Sequence, residues 1–122
     1  MSLKKKVFNL GYCKIHQIIG YIQTLYLVEE DSKFFLLDSG CRCDVDLVRK
    51  YLEVSLDKRL ADLKLVIATH AHPDHCGGLN EFKQLGVQVA GPVGLNNWYQ
   101  GVVGFFVYMT DIFLTYLVAG AI

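Results

Sequence analysis

Leu63-Lys64-Leu65-Val66-Ile67-Ala68-Thr69-His70-Ala71-His72-Pro73-Asp74-His75-Cys76-Gly77-Gly78 is the stretch on which the reading of this 122-residue chain turns. Residues 63–68 are a short run rich in branched apolar side chains, which reads as a buried strand. The run closes on Thr69 and passes into His70-x-His72-x-Asp74-His75, which holds three of the chain's four histidines. Gly77-Gly78 then opens a helix whose apolar positions Leu79, Phe82 and Leu85 share a face until Gly86 stops it. Neutral imidazole is a good ligand for zinc or iron, and a carboxylate beside it serves a second ion or holds a water. On an extended loop alternate side chains point the same way, so His70 and His72 can grip one ion together. Asp74 and His75 then face an adjacent position, where a second ion about 3.5–4 Å away completes a two-metal site. The loop also leaves the C-terminal end of a strand, where α/β sheets place ligands. The plain alternative is an accidental cluster of surface histidines. The apolar strand before the loop and the Gly-Gly turn after it count against that.

Moving outward, residues 6–10 and 24–28 read as short strands, the second ending in the turn Glu29-Glu30-Asp31-Ser32. Lys33-Phe34-Phe35-Leu36-Leu37 is an apolar run that stops at Asp38-Ser39-Gly40, a strand running into a turn. Asp44 is the expected N-cap of a helix that carries Val45, Val48 and Leu52 on one face. Residues 87–89 form a further short strand. The order is strand, turn, helix, strand, loop, helix, strand, which is an α/β arrangement. The length allows one domain at most, since domains cluster around ~100–150 residues. Residues 1–100 carry this pattern and 101–122 do not.

The charges divide in the same way. All 12 Lys and Arg lie between Lys4 and Lys83, and so do all of the 12 Asp and Glu except Asp111. The formal net charge is therefore zero, which gathers no phosphates and argues against a nucleic-acid partner. Four cysteines do not make a disulfide scaffold, and Cys41 and Cys43 stand too close to pair comfortably with each other. The stretch after Lys4-Lys5-Lys6 is broken by Asn9, Lys14, His16 and Gln17 before any secretory core can form. A reducing, cytoplasmic setting with free thiols follows as the expectation. Cys76 is expected to be a small buried group where loop becomes helix, and Cys41-x-Cys43 to be free surface or core thiols, with an approach to the metals as the rival reading. His16 is isolated in sequence and reads as a structural or exposed histidine.

Thr69-His70-Ala71-His72-Pro73-Asp74-His75-Cys76-Gly77-Gly78 resembles the signature loop of the metallo-β-lactamase superfamily of metal-dependent hydrolases. Phe35-Leu36-Leu37-Asp38-Ser39-Gly40 is similar to that family's first motif, a strand ending in an aspartate near the metals, and the spacing to His70 matches as well. The resemblance covers roughly residues 24–91. It implies the first half of an αββα sandwich, with His70 and His72 on the first metal and Asp74 and His75 on the second. Asp38 would hold a ligand through hydrogen bonds without touching the metals. The implied cofactors are two divalent ions, zinc foremost, with iron or manganese as alternatives. The implied reaction is hydrolysis by a metal-activated hydroxide, available because the ions lower the pKa of water to ~7. Its target would be an ester, thioester, lactone, β-lactam or phosphoester, with Asp74 as the catalytic residue that orients the nucleophile. Redox relatives with two irons and a flavin partner usually replace the second loop histidine by a carboxylate, and His72 argues against them.

The resemblance also calls for a later histidine, a bridging aspartate and a last histidine. Here no histidine follows His75, and the only later carboxylates are Glu81 and Asp111. The expectation is the N-terminal part of a larger enzyme or a truncated product. The alternative is a catalytically incomplete fragment or interaction module that retains only the metal-binding loop. Residues 101–122 are apolar apart from Asp111 and are expected to form a helix. On a membrane-insertion scale their apolar side chains contribute about 3–7 kcal/mol against ~2.5–3.5 for the central aspartate, so insertion is marginal. Gly101, Gly104, Tyr108, Asp111, Thr115 and Ala119 make one narrow stripe of small and polar residues at helical spacing, suited to face water, a pocket or a second chain. Three placements follow: a cap over a pocket for a hydrophobic small-molecule substrate, a membrane-associated segment, or an ordinary core helix.

Overall fold

A computed structural model of the chain describes residues 6–69, 76–93, 109–110 and 113. Among the described residues there are six strands: β1 (Lys6–Asn9), β2 (Lys14–Ile19), β3 (Thr24–Glu30), β4 (Lys33–Leu37), β5 (Leu63–Ile67) and β6 (Val89–Ala90). They form one sheet in chain order. β1 to β4 run as an antiparallel meander, and β5 and β6 then join in parallel. Parallel neighbours need a crossover. Helix α1 (Asp44–Lys50), a π-helical turn over Tyr51–Ser55 and a 3-10 turn over Leu60–Asp62 carry the chain from β4 to β5, and helix α2 (Leu79–Gln84) carries it from β5 to β6. The expected α/β order is present as this mixed sheet with few helices.

Strand alternation sorts the core onto one face. Leu25 and Leu27 of β3, Phe34 and Leu36 of β4, and Val66 of β5 are fully buried there, with Ile18 of β2 beside them. They pack against Val45, Val48, Tyr51 and Leu52 and against Phe82 of α2 in one cluster. Burying each side chain of this size contributes about 1.5–3 kcal/mol. The expected apolar face of the first helix is thus the buried one. On the other face Ile19, Tyr26 and Leu37 remain exposed.

Two expectations need correction, and one strand is added. The turn after β3 is tighter than four residues: Asp31 and Ser32 take φ of 49° and 62°, a two-residue hairpin turn, while Glu29 and Glu30 stay in the strand opposite Phe34 and Lys33. β2 is a strand that apolar periodicity does not reveal, because Lys14, His16 and Gln17 interrupt it. Asp44 does not cap α1. Cys43 occupies that position with helical φ and ψ of −66° and −19°, and the Asp44 side chain is buried.

None of the four cysteines, all of them among the described residues, forms a disulfide. Of the expected apolar helix at 101–122, only Met109, Thr110 and Phe113 lie within the described residues; they are helical and exposed. Among the described residues no helix is long and apolar enough to cross a membrane.

Candidate metal centre

Because β4 and β5 are parallel neighbours, with Leu37 opposite Ile67, whatever follows each strand emerges at the same end of the sheet. Asp38-Ser39-Gly40 follows β4, and Ala68-Thr69 follows β5. The backbone N–H of Asp38 donates to the Ile67 carbonyl at 2.7 Å, extending the ladder by one step. Asp38 then turns into the left-handed region at φ 64°, a conformation that costs energy for a residue with a side chain and that aspartate tolerates better than most. Its Oδ1 accepts the Thr69 backbone N–H at 2.7 Å and the Thr69 hydroxyl at 2.8 Å. The residue immediately before His70 is therefore clamped from both its backbone and its side chain.

The far end of the loop is held by the same turn. The N–H of Gly78 donates to Ser39 Oγ at 3.0 Å and lies 3.2 Å from the Gly40 carbonyl. Ser39 is fully buried. A Cβ at residue 78 would stand 2.8 Å from Val45 Cγ2 and 3.1 Å from the Ser39 carbonyl, so a glycine is required for this approach. Residues 38–40 thus bracket the histidine loop, at Thr69 on one side and at Gly78 on the other.

Sequence reasoning picked out Asp38 for this neighbourhood, and the structure puts its carboxylate on Thr69. The grips of Ser39 and Gly40 on Gly78 were missed; the only sequence signal for them is the glycine pair at 77 and 78. The sequence pattern alone points to Asp44 as a helix cap. Instead it accepts the Tyr21 N–H through Oδ1 and the Cys41 N–H through Oδ2, both at 2.8 Å.

His70, His72, Asp74 and His75 lie outside the described residues. Among the described residues no group of three or more His, Cys, Asp or Glu is placed to hold a metal ion. The fit of the loop to a metal rests on its donors, three imidazoles and a carboxylate in six positions, which suit zinc. Cys43 lies near the Asp38 turn but is poorly suited to join them. Although it is exposed at the surface, partial desolvation and then the neighbouring Asp44 carboxylate push its thiol pKa up, which disfavours the thiolate that binds metal.

The family model of the metallo-beta-lactamase superfamily matches residues 19–95, well over half of the chain. The chain belongs to that superfamily, as the loop and the Asp38 turn suggested. No curated protein sequence matches it. Among solved structures it is similar to the metallo-beta-lactamase FIM-1 from Pseudomonas aeruginosa in its mono-zinc form, with a TM-score of 0.61 at 16% identity, covering 80% of this chain and 45% of that one. It is also similar to a mutant of the HARLDQ motif in the metallo-beta-lactamase of Cronobacter sakazakii (TM-score 0.60, 23% identity, 70% of this chain and 34% of that one). A third is MEM-A1, a subclass B3 metallo-beta-lactamase from a soil metagenome library (TM-score 0.58, 24% identity, 73% and 33%). At these identities the likeness is one of fold. The chain spans between 33% and 45% of the length of these three structures.

Proposed function

We propose that this chain carries the amino-terminal part of the metal centre of a metal-dependent hydrolase. The observation that carries the reading is the double hydrogen bond from Thr69 to Asp38, which fixes the residue that leads into His70-x-His72-x-Asp74-His75. Superfamily membership over residues 19–95 supports it. In this reading His70 and His72 hold one divalent ion, and Asp74 and His75 hold a second. Zinc is the first candidate, supported by the donor set and by the mono-zinc form of FIM-1. Bound there, the ions supply Lewis acidity and make hydroxide available near neutral pH. Asp74 orients the attacking water. Asp38 keeps the loop's entry in register, as groups behind metal ligands commonly do.

The proposed substrates are esters, thioesters, lactones or phosphoesters, with a hydrophobic acyl group favoured if residues 101–122 cap the pocket. A membrane contact of that segment is the rival placement. Four cysteines outside any disulfide suit a reducing cytoplasm. Because no histidine follows His75, full activity requires donors beyond those in this sequence. The same observation supports a second reading, a module that keeps the loop without catalysis.

Zinc titration by calorimetry, combined with a panel of chromogenic esters and thioesters, tests both readings. The expected result is at least one zinc ion bound per chain at micromolar affinity or tighter, weakened at least tenfold by His72→Ala. Chelator-sensitive turnover selects the enzyme, and binding without turnover selects the module. A chain that takes up no zinc overturns both.

A further inference from the structure

We infer that Asp44 is a positioning residue for the metal loop, acting through the turn at 38–41. This rests on the metal-centre reading above and deepens it. Asp44 is 2% exposed, in a helix whose other buried residues, Val45 and Val48, are apolar. Burying a carboxylate is costly unless its oxygens are satisfied. Both are: Oδ1 takes the N–H of Tyr21, between β2 and β3, and Oδ2 takes the N–H of Cys41, in the turn after Asp38. The two N–H groups belong to turns that are remote in sequence, so the carboxylate ties one to the other rather than closing its own helix.

The fit at the second turn is tight. A Cβ on Gly40 would stand 2.5 Å from Asp44 Oδ2, and the φ of +70° at that residue is one that glycine adopts freely. Gly40 in turn offers its carbonyl to the N–H of Gly78, and the preceding Ser39 offers its hydroxyl oxygen to the same group. A continuous path of hydrogen bonds therefore runs from the hairpin turn at Tyr21, through Asp44, to the residue that closes the histidine loop. Only a carboxylate presents two acceptors to this geometry. An asparagine offers one, and its NH2 opposes an N–H on the other side.

The test is amide hydrogen exchange by NMR on the metal-free 122-residue chain, read at Cys41 and Gly78. Asp44→Asn is compared with Val48→Ala, a core truncation on the same helix, with denaturant adjusted so that the two have equal global stability. The expected result is exchange at both amides at least tenfold faster in Asp44→Asn than in Val48→Ala. Equal rates in the two variants overturn the inference. If Asp44→Asn does not fold, Asp44→Ser, which keeps one acceptor, is read the same way. Zinc titration adds an independent arm: if the native chain binds zinc, Asp44→Asn is expected to weaken it at least tenfold beyond Val48→Ala, and unchanged affinity breaks the link to the metal. A native chain that binds no zinc removes the metal-centre reading, while exchange at Gly78 still decides whether Asp44 positions the loop.

Discussion

Two groups of polar side chains are built into this small sheet, and they are wired differently. Beneath its middle, His16 of β2 is 2% exposed; its Nδ1 lies 3.0 Å from the Tyr51 hydroxyl and its Nε2 lies 3.3 Å from Glu29 Oε1. When neutral, the imidazole can donate from Nε2 to the Glu29 carboxylate and accept from the Tyr51 hydroxyl on Nδ1. This group joins side chain to side chain. At the strand ends, Asp38, Ser39 and Asp44 bond to backbone N–H groups of Thr69, Gly78, Cys41 and Tyr21. Side chains that bond one another tie packed elements together and specify how a helix sits on a sheet. Side chains that hold backbone fix the path of loops. The first group therefore serves stability, and the second shapes the place where the histidine loop begins and ends.

Breaking the first group is expected to cost most in stability and nothing in the metal site. Tyr51→Phe removes the hydroxyl and leaves a buried imidazole nitrogen without that partner, a loss of about 1–3 kcal/mol in denaturant unfolding. Zinc affinity is expected to stay at its native value; a drop would erase the distinction. Tyr51 also gives the group a pH signature. Desolvation, and then the Glu29 carboxylate, raise the Tyr51 pKa above its ordinary 10. The folded chain thus keeps that proton longer than the unfolded chain does. The associated stability is present below about pH 10 and is lost as pH rises through the raised value. Above pH 10 the native chain should lose stability more steeply than Tyr51→Phe, as measured by thermal melts across that range.

Breaking the second group is expected to act the other way round. Asp38→Gly keeps a residue at ease with positive φ while removing the carboxylate that holds Thr69. Zinc affinity should fall about 10- to 100-fold, the range typical for groups that stand behind metal ligands. Equal affinity in titration would show that the turn does not serve the loop. The smallest effect is expected at the surface, where Arg42 and Glu81 lie 3.1 Å apart with the arginine side chain 82% exposed. Arg42→Ala should change stability by no more than about 1 kcal/mol and leave zinc binding alone. A larger effect would mean that this pair helps join α2 to the turn.

The contrast between the two groups also explains what the sequence made legible. Leu63–Ile67, Lys33–Leu37 and the buried face of α1 follow apolar periodicity, and a local pattern suffices to find them. The Asp38 turn and the histidine loop are legible because three histidines and an aspartate crowd into six positions, beside a strand that ends in an aspartate, and the two together resemble a known family's motifs. β2 stays hidden because His16 looks polar in sequence, and its partners Glu29 and Tyr51 are supplied 13 and 35 residues away. The π-helical turn at Tyr51–Ser55 has no local signature of the kind that caps and glycines provide. Asp44 misleads for a related reason. An aspartate ahead of an apolar face is an ordinary cap signal, but the N–H groups it serves come from Tyr21 and Cys41, and only the fold brings those two turns together.

In the proposed reading His70-x-His72-x-Asp74-His75, held at its ends by the Asp38 turn, is the metal-binding element of this chain. X-ray absorption at the zinc edge on the zinc-loaded chain tests it most directly. The predicted spectrum is that of zinc surrounded by nitrogen and oxygen at about 2.0–2.2 Å, with the multiple scattering of imidazole and no sulfur. A shell of sulfur near 2.3 Å would place the metal on cysteines such as Cys41, Cys43 or Cys76 instead, and would contradict it.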